Sequence, residues 1–210
     1  MGRKVAQENN SKHRIAAVVL AAGESSRFSM PGQPKQLADI GGEPMISKIV
    51  QAVKKSSANS VFVVLGHEFE KITAAINVFP GIKIINNPGY QSGLSSSLKA
   101  GLSHASGFDA VMYILGDLPG LTSADIDCVI TAYRSSSAPL ACALFDERPV
   151  HPVIFRKDLW PELEELTGDI GGRKILKRHI DKAVKAELPG TACIWDIDTI
   201  DDYLTLSGGS

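Results

Sequence analysis

The chain has 210 residues, of which 44% are hydrophobic and 21% are charged, and its formal net charge is −1. This composition is typical of a globular domain with a full core, and the charge balance argues against general nucleic-acid binding, which usually shows a strong basic excess. The cysteines Cys128, Cys142 and Cys193 form no C-x-x-C pair or Cys/His cluster, so no structural zinc site is expected. No apolar run is long enough for a signal core or a membrane span. We therefore expect a cytoplasmic protein that contacts no membrane.

Strand-like and helix-like patterns alternate along the chain and predict one domain over residues 13–206, between disordered tails at 1–12 and 207–210. Strands are predicted at 15–22, 60–65, 82–85, 110–115, 140–145, 150–155, 183–187 and 193–196. Helices are predicted at 45–56, at 68–77, from near Ser95, after a Thr122 cap, at 158–166 after an Asp158 cap, at 174–180 and from Thr199. Repeated alternation favours an α/β fold, with a largely parallel sheet, helices on both faces and right-handed crossovers. The strands at 140–145 and 150–155, joined by a short connection, indicate a mixed or antiparallel C-terminal extension.

The first candidate site is the loop that follows the apolar run at 15–22. A buried strand that ends in a polar, glycine-bearing loop is a usual ligand site in α/β proteins. The small residues Ala21-Ala22-Gly23 would let a base or phosphate approach the main chain, and Arg27 and Lys35 would supply positive charge. The stretch matches neither the Walker pattern nor the three-glycine dinucleotide pattern. Taken alone, it is equally consistent with an ordinary strand-to-loop turn.

Two further strand ends carry polar residues. The segment Gly93-Leu94-Ser95-Ser96-Ser97 starts a predicted helix, where free N–H groups favour an anion or a polar base, although simple capping by Ser95 is the alternative. Asp117 follows the strand at 110–115. A carboxylate in that position would anchor a Mg²⁺ ion that is also bound to phosphates, or it would cap the next helix.

The last candidate group combines His151-Pro152 with the glycine-rich loop at 168–173. His151 begins a strand beside a proline, which is equally consistent with a packed histidine. Arg173 is harder to explain by packing, because it lies in a glycine loop. Its guanidinium suits a phosphate on a second substrate.

Together these motifs resemble those of the nucleotidyltransferases related to molybdenum cofactor cytidylyltransferase. The resemblance covers about residues 15–205, and the motifs occur in the family's order. The matching segments are 20–27 with Pro34-Lys35, Asn87-Pro88, 93–98, 116–119, His151-Pro152 and 168–173.

The resemblance implies a Rossmann-like three-layer sandwich of the nucleotide-diphospho-sugar transferase type, which uses a nucleoside triphosphate and Mg²⁺. It implies transfer of CMP from CTP to the phosphate of molybdopterin or the molybdenum cofactor, with release of pyrophosphate and with a molybdenum hydroxylase as a candidate client. The resemblance implies that the triphosphate is bound by Arg27 and Lys35, and that Mg²⁺ is bound by Asp117 with Asp198 or Asp196 assisting. The implied nucleotide-binding residues are Leu20, Ala21, Ala22, Gly23, Gly93, Ser95 and Ser96. The implied acceptor-binding residues are His151, Asp169 and Arg173.

The chain departs from the family in residues 28–33, which lengthen the loop before Lys35, and at Val150, where the family has glycine. The rival enzymes transfer GMP to the molybdenum cofactor or activate sugar phosphates. The guanylyl enzymes typically show Ala-Gly-Gly in place of Ala21-Ala22-Gly23, and the sugar-nucleotide enzymes lack the 168–173 loop, so cytidine is favoured. The longer loop keeps a different class open, a nucleotide-binding accessory protein that delivers cofactor without catalysing transfer.

Overall fold

Strands and helices alternate along the chain in the predicted order. The computed structural model describes residues 13–25, 28, 33–188, 196–197 and 199–207. Its strands are β1 (Ile15–Ala21), β2 (Ser60–Leu65), β3 (Ile82–Asn86), β4 (Ala110–Leu115), β5 (Leu140–Phe145), β6 (Arg148–Arg156) and β7 (Ala183–Glu187). Its α-helices are α1 (Met45–Lys55), α2 (Phe69–Ile76), α3 (Leu94–Ser103), α4 (Ser123–Arg134), α5 (Trp160–Glu164), α6 (Arg173–Arg178) and α7 (Ile200–Ser207). Short 3-10 turns cover Lys35–Leu37, Tyr90–Ser92, Lys157–Leu159 and Ile180–Lys182.

The strands form one seven-stranded sheet in the order β3-β2-β1-β4-β6-β5-β7. Strand β1 pairs in parallel with β2 and β4, and β2 pairs in parallel with β3. Strand β6 runs antiparallel to both β4 and β5, and β7 pairs in parallel with β5. The prediction of a mostly parallel sheet with a mixed C-terminal extension is confirmed.

Alternate residues of β1 face two separate cores, because successive side chains of a strand point to opposite faces. Ile15 and Val19 belong to a core that α1, α2 and α4 cover, whereas Ala16 and Val18 belong to a core that α3, α5 and α6 cover. All four are fully buried. The continuous apolar run in the sequence therefore reflects a strand covered on both faces of a three-layer sandwich.

The strand order reverses beside β1. The chain proceeds from β1 through α1 to β2 and through α2 to β3, and α3 then crosses the other face to bring β4 to the opposite side of β1. A crevice forms at the carboxyl ends of the strands where the order reverses, and open α/β sheets bind ligands there. In this chain Ala22-Gly23 and Gly116-Asp117 follow those two strand ends.

The segment predicted as a helix at 158–166 differs from the prediction. It forms a 3-10 turn followed by the five-residue α5. Asp158 does not cap a helix, since its carboxylate accepts two hydrogen bonds from the Arg156 guanidinium, at 2.9 and 2.7 Å. Both carboxylate oxygens of Asp158 are therefore engaged by the forked Arg156 guanidinium and not by a helix N-terminus.

Two other element boundaries also differ from the prediction. The connection predicted at 146–149 is a two-residue turn, in which Asp146 and Glu147 have φ of 46° and 60°. Positive φ at both central residues suits the twist of a β-hairpin, so β6 begins at once with Arg148. The helix predicted at 174–180 ends at Arg178, and a 3-10 turn follows it.

The prediction of a Thr122 cap is confirmed, because the Thr122 hydroxyl and the Asp125 carboxylate form a reciprocal capping box at the start of α4. The tail at 1–12, Cys193 and most of the strand predicted at 193–196 lie outside the described residues. Among the described helices, none is both long enough and apolar enough to cross a membrane.

Candidate functional site

A cavity of about 680 Å³ opens at the carboxyl ends of β1 and β4. We call it the first cavity. Its lining residues are Leu20, Ala21, Ala22, Gly23, Glu24, Ser25, Lys35, Gln36, Tyr90, Gln91, Gly93, Leu94, Ser97, Leu115, Gly116, Asp117 and Asp169. A volume of this size is within the range of pockets that hold cofactor-sized ligands.

The loop after β1 is held in place by the side chain of Gln36. Its Nε2 donates a hydrogen bond to the Gly23 carbonyl oxygen at 3.2 Å and lies 3.5 Å from the Ala21 carbonyl oxygen. Gln36 is buried, so these contacts are shielded from water. The main chain of Ala21-Ala22-Gly23 therefore faces the first cavity in a fixed conformation.

Gly116 brings the end of β4 close to the end of β1. Its N–H donates a hydrogen bond to the Leu20 carbonyl oxygen at 2.8 Å. A β-carbon at this position would lie 2.7 Å from the Ala21 β-carbon and 2.8 Å from the Leu20 carbonyl oxygen. Only glycine permits this contact, which carries the next residue, Asp117, into the crevice.

Lys35 and Asp117 form an ion pair at one wall of the first cavity. The Lys35 Nζ lies 2.9 Å from Asp117 Oδ2, and the side chains are 5% and 25% exposed. The second carboxylate oxygen of Asp117, Oδ1, is buried and has no hydrogen-bond partner. A buried carboxylate oxygen without a partner is costly unless a ligand satisfies it.

The free oxygen of Asp117 fits a role as a metal ligand. Hard divalent cations prefer carboxylate oxygens, and Mg²⁺ is usually bound by one or two carboxylates together with substrate phosphates. The Ile197 N–H donates a hydrogen bond to the Asp117 carbonyl oxygen at 3.1 Å, so the segment that contains Asp196 lies beside Asp117. Within the described residues, no cluster of three or more His, Cys, Asp or Glu side chains could hold a metal by itself.

The start of α3 is occupied by the chain itself. The Ser95 N–H donates to the Gly168 carbonyl oxygen at 3.0 Å, and the Ser96 hydroxyl donates to the Gly93 carbonyl oxygen at 2.8 Å. The serine of this segment that lines the first cavity is Ser97, whose hydroxyl oxygen accepts a hydrogen bond from Asn87 Nδ2 at 3.1 Å. Asn87 therefore leaves the Ser97 hydroxyl hydrogen available to a ligand.

A second cavity of about 480 Å³ adjoins the first. Its lining residues are Leu20, Leu94, Leu98, Tyr113, Leu115, Leu118, Arg148, Pro149, Val150, His151, Val153, Phe155, Asp169, Gly171, Gly172, Arg173, Leu176 and Asp196. Leu20, Leu94, Leu115 and Asp169 line both cavities. Two ligands bound side by side would therefore meet at this shared wall.

The second cavity combines apolar walls with cationic side chains. Arg148 extends from the start of β6 and Arg173 from the start of α6, and neither guanidinium forms a hydrogen bond or an ion pair among the described residues. Asp169 and Asp196 add carboxylates to the same lining. A guanidinium without a protein partner is suited to bind an anionic group of a ligand.

Comparison with known proteins assigns the family. The profile of the MobA-like NTP transferase domain matches residues 17–184, which is most of the chain. The chain belongs to the MobA-like NTP transferase family.

Two relatives match this chain over different lengths. The chain is 24% identical over 198 residues to nicotine blue oxidoreductase of Paenarthrobacter nicotinovorans, covering 91% of this chain and 96% of that one. It is 27% identical over 126 residues to the bifunctional protein GlmU of Synechococcus sp. (strain CC9902), of which the match spans 27%.

Solved structures show the same fold. A homologue of Mycobacterium tuberculosis Rv0371c from Mycobacterium sp. strain JC1 superposes with a TM-score of 0.79 at 26% identity, covering 93% of this chain and 96% of that one. The M. tuberculosis H37Rv protein itself, in complex with manganese, superposes with a TM-score of 0.79 at 23% identity, covering 94% of this chain and 100% of that one. The predicted nucleotide-diphospho-sugar transferase fold is confirmed.

Most site residues that are predicted from the sequence line the first or the second cavity. Leu20, Ala21, Ala22, Gly23, Gly93, Lys35 and Asp117 line the first cavity, His151 and Arg173 line the second, and Asp169 lines both. Ser95 and Ser96 lie beside the first cavity without contributing to its described lining. Arg27 and Asp198 lie outside the described residues.

Sequence reasoning missed several lining residues of the MobA-like site. Ser97 lies within the 93–97 segment but is given no ligand role by it, Arg148 stands three residues before His151, and Gln36 directly follows Lys35. Proximity to those motifs was the available signal. The orientation that brings Ser97 rather than Ser95 to the cavity depends on how α3 packs, and no sequence pattern encodes it directly.

Proposed function

We propose that this chain is a nucleotidyltransferase that transfers CMP from CTP to the phosphate of molybdopterin or the molybdenum cofactor and releases pyrophosphate. The proposal rests mainly on Asp117, because its Oδ1 is buried without a hydrogen-bond partner at the first cavity. A second cavity, lined by cationic side chains, adjoins the first. A triphosphate in the first cavity and a phosphate ester in the second would meet at their shared wall. Family membership supports the same reaction class.

The reaction needs little acid–base chemistry from the protein. An oxygen of the acceptor phosphate bonds to the α-phosphorus of the triphosphate, and the bond from that phosphorus to the pyrophosphate oxygen breaks. The acceptor phosphate is already ionised at neutral pH, so catalysis consists of positioning and charge neutralisation. The Lys35 ammonium provides positive charge at the triphosphate, and the Gln36-braced loop after β1 orients the nucleotide.

A divalent metal ion suits the remaining oxygen of Asp117. Mg²⁺ bound there would neutralise phosphate charge as a Lewis acid. The manganese complex of the structural neighbour supports a divalent metal in this fold. Asp198 or Asp196 is the proposed second ligand, because Ile197 between them is anchored to the Asp117 main chain.

Turnover by an Asp117→Asn variant tests the reaction and the metal role together. We expect pyrophosphate release from Mg²⁺-CTP and molybdopterin to fall about 100-fold or more, since removing one transition-state electrostatic group typically has that effect. Asp181→Asn, at an exposed aspartate of the Ile180–Lys182 turn, is the matched control and should leave the rate unchanged. Unchanged turnover in Asp117→Asn would remove Asp117 from the metal role.

Cytidine is proposed on the basis of the Ala21-Ala22-Gly23 loop, where the guanylyl enzymes typically have Ala-Gly-Gly. A thermal-shift screen of the four nucleoside triphosphates with Mg²⁺ tests this, because ligand binding to the folded state raises apparent stability. CTP should give the largest shift. A larger shift with GTP would favour the guanylyl alternative.

The accessory-protein alternative predicts saturable CTP binding without pyrophosphate release from any acceptor. In that case the client would be a molybdenum hydroxylase that receives the cofactor. The name of the Paenarthrobacter relative denotes a redox reaction instead. Pyrophosphate release separates nucleotidyl transfer from both.

A further inference from the structure

The loop between β1 and Lys35, which is longer than in the family, carries one buried aromatic residue. Phe28 is only 6% exposed and belongs to the core that α1, α2 and α4 cover. Its N–H donates a hydrogen bond to the Ser25 carbonyl oxygen at 2.8 Å. Connecting segments normally run over the surface, so a buried aromatic side chain in a loop acts as an anchor.

The partner of Phe28 is Tyr203 on the C-terminal helix α7. The two ring centroids are 6.0 Å apart and the ring planes meet at 89°, which is an edge-to-face pair. This geometry is favoured because the positive edge of one ring meets the negative face of the other. Tyr203 is half-buried and packs against the same core as Phe28. A helix at one end of the chain therefore contacts a loop near the other end.

Helix α7 has a defined position relative to Asp117. The Ile197 N–H donates a hydrogen bond to the Asp117 carbonyl oxygen at 3.1 Å, and Ile197 is fully buried. The Thr199 N–H and hydroxyl donate to the Asp202 carboxylate at 2.7 and 2.8 Å, and the Asp202 N–H donates to Thr199 Oγ1 at 3.2 Å. This reciprocal cap determines where α7 begins, and thereby where Tyr203 lies.

These contacts form a closed circuit around Asp117 and Lys35. Asp117 bonds to Lys35 through its side chain and to Ile197 through its main chain, and Tyr203 contacts Phe28 in the loop before Lys35. We propose that Phe28 and Tyr203 are positioning residues that hold this loop in the geometry that binds the phosphates of the nucleotide. The inference rests on the proposed function in taking a triphosphate as the ligand of Lys35 and Asp117.

The length of the loop explains why a positioning contact is needed. A longer loop costs more conformational entropy to hold in one arrangement. Groups that bind a reacting phosphate must be held to within about 0.5 Å, and residues outside the site supply this precision. Glu24 and Ser25 of the loop line the first cavity, whereas neither Phe28 nor Tyr203 belongs to its described lining. The aromatic pair therefore acts on the cavity from outside it.

Loss of the aromatic pair should affect the two parts of the nucleotide differently. The residues proposed to orient the nucleoside, 21–23 and the start of α3, are held by Gln36 and by the Gly168 carbonyl oxygen. Lys35, proposed for the triphosphate, follows the loop that contains Phe28. Without the pair, binding of the triphosphate should weaken more than binding of the nucleoside. The longer loop is then compatible with catalysis.

Hydrogen exchange followed by NMR on the full chain tests the contact without any ligand. Tyr203→Ala should speed exchange of the Phe28 amide about 10-fold or more, because local opening of the loop becomes easier. Tyr203→Phe keeps the ring and should exchange like wild type. Leu204→Ala is the matched control, since the Leu204 side chain on the same helix is 56% exposed. Exchange in β1 should be unchanged in every variant. Unchanged exchange at Phe28 in Tyr203→Ala would overturn the inference.

Calorimetric titration with Mg²⁺-CTP and with CMP separates positioning from a general structural role. We expect Tyr203→Ala and Phe28→Leu each to weaken CTP binding about 10-fold, and CMP binding less than about 2-fold, because CMP lacks the two outer phosphates. Tyr203→Phe should keep most of the CTP affinity. Equal losses for CTP and CMP would indicate general damage and would overturn the inference.

The double variant Phe28→Leu/Tyr203→Ala tests whether the two rings act as one unit. Its loss of CTP affinity should not exceed the larger single loss, because residues in contact are not additive. Fully additive losses would contradict the inference. If wild type binds no nucleoside triphosphate, the proposed function fails, and the exchange of the Phe28 amide then decides by itself whether α7 holds the loop.

Discussion

At the scale of single residues, the site depends on polar atoms whose usual partners are missing or already used. Asp117 has one carboxylate oxygen paired with Lys35 and one buried without a partner. The Ser97 hydroxyl oxygen accepts a hydrogen bond from Asn87, and His151 Nδ1 contacts the Tyr113 carbonyl oxygen. In each case the contact inside the protein fixes which atom remains for the ligand.

Ser97→Ala should weaken CTP binding about 5-fold, because a single neutral hydrogen bond contributes about 1 kcal/mol. Asn87 keeps its bond to the Ser96 hydroxyl, at 2.9 Å, so the fold should tolerate the change. Ser103→Ala is the control on the same helix, since the Ser103 hydroxyl is exposed and contacts only the Ala100 carbonyl oxygen and the neighbouring His104 ring among the described residues. Calorimetric titration measures both affinities, and equal affinities in wild type and Ser97→Ala would exclude Ser97 from nucleotide binding.

His151 also predicts a pH dependence of stability. Burial lowers its folded-state pKa below the ordinary value of 6.5, so below about pH 6.5 the unfolded chain binds more protons than the folded chain. The free energy of unfolding should therefore fall as the pH falls from about 6.5 toward the folded-state pKa. Chemical denaturation across this window should show a shallower pH slope for His151→Leu than for wild type. An unchanged slope in His151→Leu would contradict the prediction.

At the scale of elements, a contact between α3 and the glycine-rich loop joins the two cavities. The Ser95 N–H bonds to the Gly168 carbonyl oxygen at 3.0 Å. Gly93 has a φ of 101°, and a β-carbon there would lie 2.3 Å from the Gly168 carbonyl carbon. The sequence predicts either an anion or polar-base site or simple capping at 93–97, and the structure shows that part of this segment serves a backbone contact with the glycine-rich loop.

Gly93→Ala should lower the free energy of unfolding by at least about 2 kcal/mol, because it combines a strained φ with a backbone clash. It should also separate α3 from the glycine-rich loop and weaken the binding of both substrates. Gly107→Ala is the control, since a β-carbon there meets nothing within 4 Å. Urea denaturation measures the difference, and a loss equal to that of the control would show that the contact is dispensable.

At the scale of the whole molecule, the reversal of strand order beside β1 decides where the site lies. Parallel strands β1 and β4 end side by side, and their loops deliver Ala21-Ala22-Gly23 and Asp117 to one crevice. The antiparallel strand β6 then brings His151 and Arg148 to the adjoining cavity. Residues that are more than 120 positions apart in the sequence, such as Ala21 and Arg148, therefore line adjoining cavities.

Removal of divalent metal should reduce the increase in stability that bound CTP provides. With Mg²⁺ and CTP at about 100 times its Kd, linkage predicts about 2.7 kcal/mol of stabilisation and a rise in Tm of about 5–10 °C. With EDTA in place of Mg²⁺ the rise should be much smaller, because the triphosphate charge would then face the Asp117 carboxylate directly. Differential scanning fluorimetry checks both conditions, and equal shifts would exclude a metal at Asp117.

Local sequence patterns predict the first strand to within one residue, the alternation of elements and the motifs that end the strands, because periodicity, glycine and capping residues act over a few positions. Lys35, Asp117, His151 and Arg173 were selected in this way. Long-range packing brings Ser97 rather than Ser95 or Ser96 to the first cavity, because the rotation of α3 depends on its neighbours and on the bond from Ser95 to Gly168. The contact of His151 Nδ1 with the Tyr113 carbonyl oxygen likewise depends on the pairing of β4 with β6, because the two residues are 38 positions apart in the sequence.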